Sequence, residues 1–278
     1  VSDFSAEWLD LREAADLRAR SRTIADAVAG RFALRDEIRV LDLGSGTGAN
    51  LRATAALLPK RQFWTLTDQS AALLDVAKAR LARWADTSAP EGNGIRLTKN
   101  GSDITVSFAT LDLAQGTEAM LAQGWDLVAA SAFFDLVSED YIRRLAKAIA
   151  EHRAAFYAAL TYNGIRRWTP PRPTDNVLTA AFHRHQMRDK GFGPAAGPVA
   201  PVHLADQFRI NGYTVFEDDS PWRLDRADRM LVDELVRGHA VAISETDGID
   251  QATILSWVNV PHTAAHVGHT DTFAVPEL

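Results

Sequence analysis

The chain has 278 residues, 46% of them apolar and 24% charged, with 30 basic against 36 acidic side chains and a net charge of −6. That length and usage suit one large soluble α/β domain, and the lack of any cysteine excludes disulfides, thiolate metal sites and a cysteine nucleophile. An acidic average with no basic run disfavours nucleic acid as a main partner, and no apolar stretch nears the roughly 20 residues that span a bilayer.

The first twenty residues carry Asp3, Glu7, Asp10, Glu13 and Asp16 and do not read as a secretory signal, so a cytoplasmic location is expected. Residues 5–29 predict helix in two pieces. Trp8, Leu11 and Ala15 line one side of the first, and Ser21 caps a second that carries Ile24 and Val28. Arg12, Arg18, Arg20 and Arg22 lie along this segment.

Residues 38–50 are the most informative stretch. The apolar residues Val40, Leu41 and Leu43 lead into Gly44, Gly46 and Gly48, and a helical pattern follows through Leu51, Ala55 and Leu58. This predicts a strand, a tight turn and a helix N-terminus, which brings bare backbone against a nucleotide-like ligand. The spacing also satisfies the looser dinucleotide pattern, so the flanking residues must decide. Asp42 at the strand end opposes a pyrophosphate and favours a ligand with ammonium or sulfonium charge.

A second strand ends in Asp68, placed to accept both ribose hydroxyls of NAD or of any adenosine ligand. Ser70 caps a helix with Leu73, Leu74, Ala77, Leu81 and Trp84 on one side. A turn-rich stretch with Pro90, Gly92 and Gly94 follows, then a hairpin-like pair, Ile95–Thr98 and Ile104–Phe108, around Asn100 and Gly101. The third strand continues to Asp112, suitably placed to accept from an adenine amine. The competing structural explanation is that Asp68 and Asp112 merely cap the helices that follow. Residues 125–131 predict a fourth buried strand, Ser138 opens a helix, and residues 155–161 predict a fifth strand. Strands alternating with helices mean a parallel sheet whose ligand lies beyond the strands' C-terminal ends.

Residues 163–200 break this rhythm with many prolines and glycines around one short helix, about Asp175–Arg188. Leaving the fifth strand at the ligand edge, this insertion is the candidate lid. Beyond it the pattern predicts helix to Gly212, a strand at Tyr213–Phe216, helices near 227–237 and 249–258, and a last strand near Val267–Val275.

In order and spacing, Asp42 with its glycines, Asp68, Asp112 and the strand ending at Ser131 resemble the class I S-adenosylmethionine-dependent methyltransferases, over residues 35–162. The resemblance implies an α/β fold with a seven-stranded, mostly parallel, doubly wound Rossmann-like sheet. It also implies an N-terminal helical cap over the cofactor (1–30), a cofactor-binding core (31–162), a lid (163–205) and a C-terminal part (206–278) whose last strand runs antiparallel beside the strand at 213–216. Gly44, Gly46 and Gly48 would approach the methionine part of S-adenosyl-L-methionine, Asp68 the ribose, and Asp112 with Leu113 the adenine. Ser131 and Ala132 would face the transferable methyl. The expected cofactor-binding set is Asp42, Gly44, Ser45, Gly46, Gly48, Asp68, Gln69, Asp112, Leu113, Ser131 and Arg20, the last as a partner for the cofactor carboxylate.

Such chemistry needs alignment and water exclusion more than a dedicated residue. Asp135 and Tyr162 fall near the expected acceptor, and His183 is a candidate general base for a hydroxyl acceptor. These three are the catalytic candidates. Trp168 could face an acceptor, and Gln186, Asp189 and Lys190 could bind a polar one. No metal is assigned: His183 and His185 lie about 200° apart around a helix, and His262, His266 and His269 resemble a cluster only by composition. The acceptor is expected to be a small molecule, methylated on oxygen or nitrogen, and oligomeric state is unreadable. The alternatives are an NAD(P)-dependent oxidoreductase, against which stands the lack of a Tyr-x-x-x-Lys pair, and a non-catalytic cofactor-binding protein of the same fold.

Overall fold

A computed structural model describes residues 4–277. The elements in chain order are α1 (Ala6–Ala19), α2 (Arg22–Phe32), β1 (Glu37–Leu43), α3 (Ala49–Thr54), β2 (Arg61–Asp68), α4 (Ala71–Trp84), β3 (Thr87–Glu91), β4 (Gly94–Lys99), β5 (Ser102–Thr110), α5 (Leu113–Leu121), β6 (Leu127–Ser131), α6 (Glu139–Glu151), β7 (Ala155–Thr169), α7 (Asp175–Gln186), α8 (Ala200–Ile210), β8 (Tyr213–Asp219), β9 (Trp222–Leu224), α9 (Arg229–Ser244), α10 (Gln251–Val258) and β10 (Ala264–Pro276). The polar starts of the helices follow the expected capping. Side chains of Ser5, Ser21, Ser70 and Ser138 each accept a backbone N–H from the first turn of α1, α2, α4 and α6.

One sheet carries all ten strands, in the order β3-β4-β5-β2-β1-β6-β7-β10-β8, with β9 paired to β10. Strands β5, β2, β1, β6 and β7 are mutually parallel, and β10 is antiparallel to both β7 and β8, as expected for the last strand. The central strands are buried on both faces: β6 is four fully buried residues, Leu127 to Ala130, before Ser131. Such strands need helices on both sides. Ile24, Val28, Leu74 and Leu81 cover one face. Ile142, Leu145, Leu204 and Phe208 cover the other.

The expected count of seven strands needs correction: β3, β4 and β9 are additional. β4 is the strand expected at Ile95–Thr98 and turns at Asn100 and Gly101 into β5, whereas the turn-rich stretch near Pro90 holds the unexpected β3, which is exposed along its length and pairs with β4. The strand expected to reach Asp112 ends at Thr110, and the helix expected near 227–237 continues to Ser244. The largest difference concerns the fifth strand. Rather than stopping at Thr161 it runs to Thr169 and pairs with β10 as far as Ala264. The start of the proline-rich insertion is therefore sheet. With α7, α9 and α10 it builds a third apolar cluster holding Trp168, Leu178, Leu235 and Trp257.

Candidate functional site

The turn after β1 is built by backbone that only glycine adopts without strain. Gly44, Gly46 and Gly48 have φ of 63°, 52° and 77°. A Cβ on Gly44 would lie 2.9 Å from the Phe133 ring, and one on Gly46 would lie 3.0 Å from Leu9 of α1. Gly48 differs, since its Cβ would meet only Leu81, Ala77 and Leu66, at 3.4–3.5 Å. It serves the turn into α3 and the packing of α4. The turn is tied to β2 by Ser45 N–H donating to the Thr67 carbonyl at 2.9 Å and by Gly46 N–H donating to Asp68 Oδ2 at 2.9 Å.

Above this turn lies a cavity of about 460 Å³, within the range of small-ligand sites. Of the expected cofactor-binding residues, Gly44, Ser45, Gly46, Asp68, Gln69, Leu113 and Ser131 line it, and Asp42, Gly48, Asp112 and Arg20 do not. The N-terminal helix forms part of the wall through Leu9, Arg12 and Asp16. It is held down where Arg52 of α3 forks onto Glu13, at 2.8 and 2.7 Å, and also donates to the Thr47 carbonyl at 2.8 Å.

Asp68 accepts from Gly46 and Ser70 N–H, each at 2.9 Å, and still faces the cavity. Asp112 is exposed and caps α5 by accepting Ala114 N–H at 3.0 Å, so here the capping explanation describes the geometry. Arg20 lies behind the wall. Its guanidinium donates to Asn50 Oδ1 at 2.8 Å and to Ser131 Oγ and Thr54 Oγ1 at 3.3 Å each, with the Tyr157 hydroxyl at 3.4 Å. Asn50 in turn donates to Asp42 Oδ1 at 2.6 Å. The chain Arg20–Asn50–Asp42 thus braces the glycine turn from beneath. Asn50, Phe133 and Leu9 were not singled out in the sequence. For Asn50 the available signal was a polar residue in the first turn of the helix after the glycines.

Asp42 is fully buried, and its Oδ2 has no hydrogen-bond partner among the described residues. Burial pushes its carboxyl up to about 7, against the Asn50 hydrogen bond and the nearby Arg20 charge. A carboxyl held above its unfolded value of about 3.9 binds its proton more tightly in the fold. Its contribution to stability is complete below about pH 4 and is lost as pH rises towards about 7. His269, which burial pushes down to about 3, acts oppositely, and that contribution is lost as pH falls below about 6.5. Asp42→Asn is therefore expected to gain stability relative to the parent as pH rises from about 4 to about 8. Thermal melts across that range check this. A constant difference would mean that Asp42 ionises normally.

None of the three catalytic candidates lines the cavity. Asp135 is buried, accepts from Gln186 Nε2 at 2.9 Å, and is raised above the usual carboxylate range by burial. The Tyr162 hydroxyl lies 2.9 Å from His183 Nε2, with burial raising the tyrosine and lowering the histidine. Trp168 is a core residue, edge-on to Trp257 with ring centres 5.2 Å apart. His185 bonds Glu245 at 3.0 Å. From the insertion, Lys190 and Phe192 do reach the cavity wall. Their turn is held by local contacts: Asp189 Oδ1 accepts Gly191 and Gly193 N–H at 2.7 and 2.9 Å, and the Phe192 ring packs edge-on against Tyr141 and Phe133 at 4.9 and 5.8 Å.

No protein-family model and no curated relative matches the chain. Solved structures do. The YcgJ protein of Bacillus subtilis aligns with a TM-score of 0.51 at 11% identity, over 93% of this chain and 100% of that one. A cyclopropane-fatty-acyl-phospholipid synthase-like protein from Lactobacillus casei gives 0.54 at 14% identity, over 97% and 94%. The cyclopropane synthase MmaA2 of Mycobacterium tuberculosis gives 0.50 at 12% identity, over 98% and 100%. The chain has the Rossmann-like methyltransferase fold. In that fold the glycine turn, the tip of β2 and the end of β6 meet at one edge of the sheet, and this is where the cavity lies. At such identities the likeness is one of architecture. Among the described residues no helix is long and apolar enough to cross a membrane.

Proposed function

We propose that the chain is an S-adenosylmethionine-dependent methyltransferase that moves a methyl group to oxygen or nitrogen of a small-molecule acceptor by in-line displacement. The observation that carries this reading is the convergence of Gly44, Gly46 and Asp68 on one cavity, with a bare backbone edge beside a carboxylate. The residues present fit the cofactor. Asp68 has acceptor capacity left for a pair of ribose hydroxyls, and Leu73, Val76 and Leu113 offer apolar wall to a purine. Asp42, buried beneath the turn, opposes a pyrophosphate when ionised.

When bound, the cofactor supplies an already activated methyl on a positively charged sulfur. The protein's part is then positioning and exclusion of water. Phe133 and Phe192 wall the cavity, α1 covers it, and Ser131 and Ala132 end β6 at its edge. Ala132 holds φ of 51°, unusual for alanine, with its N–H donating to the Ala159 carbonyl at 2.9 Å. The segment 163–205 serves acceptor recognition through Lys190 and Phe192 rather than as a freely hinged lid, because Trp168 and Leu178 anchor it in the core.

Incubation with methyl-labelled S-adenosylmethionine and a fractionated metabolite extract is expected to label one or a few small molecules. Label in no fraction, although S-adenosylhomocysteine binds, would select the non-catalytic alternative. Stabilisation by NAD and not by S-adenosylhomocysteine would select the oxidoreductase.

A further inference from the structure

Two residues with left-handed backbone stand on neighbouring strands at the sheet edge that borders the cavity. Ala132, directly after β6, has φ of 51°, and Leu160 in β7 has φ of 58°. Neither is glycine, and Leu160 is fully buried, so each conformation must be held by its surroundings. The last register pair of β6 and β7 joins Ser131 to Ala159, one residue before each. The cause at Leu160 is a bulge. β10 pairs Thr270 with Thr161 and Thr272 with Ala158, so Ala159 and Leu160 together face the single residue Asp271. Leu160 is thereby left without a ladder partner among the described residues, and a buried N–H needs an acceptor. The Asp271 carboxylate, itself fully buried, supplies it: Oδ1 accepts the Leu160 N–H at 2.8 Å. Its second oxygen, Oδ2, accepts the N–H of Ser21, the residue after Arg20, at 3.0 Å.

The Ala159 carbonyl and the Leu160 N–H belong to one planar peptide unit and point in opposite directions. Asp271 fixes the N–H end, and the carbonyl end accepts the Ala132 N–H at 2.9 Å. A tilt of this plane moves both bonds, so the carboxylate sets the turn at Ala132 through a single rigid unit. That turn leads directly to Phe133, whose ring lies against Gly44 and walls the cavity. The Oδ2 arm reaches the same place, since Arg20, next to Ser21, donates to Ser131 Oγ at 3.3 Å.

Building on the methyltransferase reading, we propose that Asp271 is a positioning residue for methyl transfer, holding Ser131, Ala132 and Phe133 where the acceptor meets the methyl group. Asp271 does not line the cavity, whereas those three residues do, and it acts on the site only through them. Cofactor binding rests instead on Asp68 and the glycine turn, so turnover and cofactor affinity should separate when Asp271 is changed.

The test compares the full-length parent with Asp271→Asn, Ala132→Gly and the double variant. Asparagine keeps one acceptor oxygen and cannot serve both N–H groups. Each protein is assayed with methyl-labelled S-adenosylmethionine and the metabolite fraction that the parent labels, and calorimetry gives its affinity for S-adenosylhomocysteine. Asp271→Asn is expected to lower kcat about tenfold, with KM for S-adenosylmethionine and affinity for S-adenosylhomocysteine within about threefold of the parent. Glycine adopts a left-handed turn without strain. In the Ala132→Gly background the same change at Asp271 should therefore cost about threefold or less. A residue that only holds the fold would lower Tm and give equal losses in both backgrounds. That result, or an unchanged kcat, would overturn the proposal. If Asp271→Asn does not fold, hydrogen exchange on the parent decides. The Ala132 and Leu160 amides should then be protected to the same degree, and free exchange at Ala132 beside a protected Leu160 would overturn the clamp. A parent that labels no fraction sinks the methyltransferase reading and this inference with it. Labelling by the parent without the expected split sinks this inference alone.

Discussion

Asp68→Ala is expected to weaken binding of S-adenosylhomocysteine by about 1–3 kcal/mol, or roughly 5- to 150-fold. An ionised carboxylate offers about four acceptor positions. Two of these are taken in the protein by the N–H groups of Gly46 and Ser70, which aim the group and hold it against the cavity. Asp68 lines the cavity, so the remaining two are available to the ribose of the proposed cofactor. Part of the loss will come through the turn, since Gly46 N–H is left without its acceptor. Asp68→Asn removes the charge and keeps one oxygen, enough for the Gly46 N–H or the Ser70 N–H but not both. Calorimetry on both variants checks the ranking, with asparagine between alanine and the parent. Unchanged affinity in both would show that the tip of β2 does not touch the ligand.

The second large effect is expected at Arg20. Replacing it with alanine removes a fork that reaches four acceptors from three elements and leaves the Asn50 and Asp42 pair unbraced. Breaking such a network should cost roughly 2–4 kcal/mol of stability, or about 5–10 °C in Tm for a chain of this size. Arg20→Lys should recover little, because an ammonium cannot reproduce the planar fork. If Arg20 instead grips the cofactor carboxylate directly, as its sequence position suggested, the pattern reverses: Tm holds, and affinity for S-adenosylhomocysteine collapses. Thermal melts and calorimetry on one preparation decide between brace and ligand.

The contrast between Arg20 and Arg12 shows where sequence reading stops. Both are arginines on the N-terminal helical segment, and no charge pattern separates them. Arg20 is the last residue before Ser21 begins a new helix, and this bend turns its side chain under the glycine turn while Arg12 stays on the cavity wall. The glycine turn was legible because its requirement is local: positive φ and close approach of backbone at Gly44 and Gly46. Helix starts were legible for the same reason, through serines that cap their own first turn. Asp68 and Asp112 read alike, as acids after strands, yet one faces the cavity and the other caps α5. Only the tertiary fold distinguishes them.

The strands that escaped notice share a physical cause. β3 is exposed along its whole length and contains Pro90, so it shows neither alternation nor an apolar run. β9 is three residues long. The extension of β7 hides behind two arginines, of which Arg167 is exposed and Arg166 is drawn inward only once α7, α9 and β10 surround it. For that reason the segment looked like a detachable lid, and for the same reason Arg166 could not be anticipated as an interior cation.

The most direct measurement is a calorimetric titration of the intact chain with S-adenosylhomocysteine and, in parallel, with NAD. One S-adenosylhomocysteine is expected to bind per chain, more weakly to Asp68→Ala, with no heat from NAD. Saturable NAD binding with none for S-adenosylhomocysteine would contradict it.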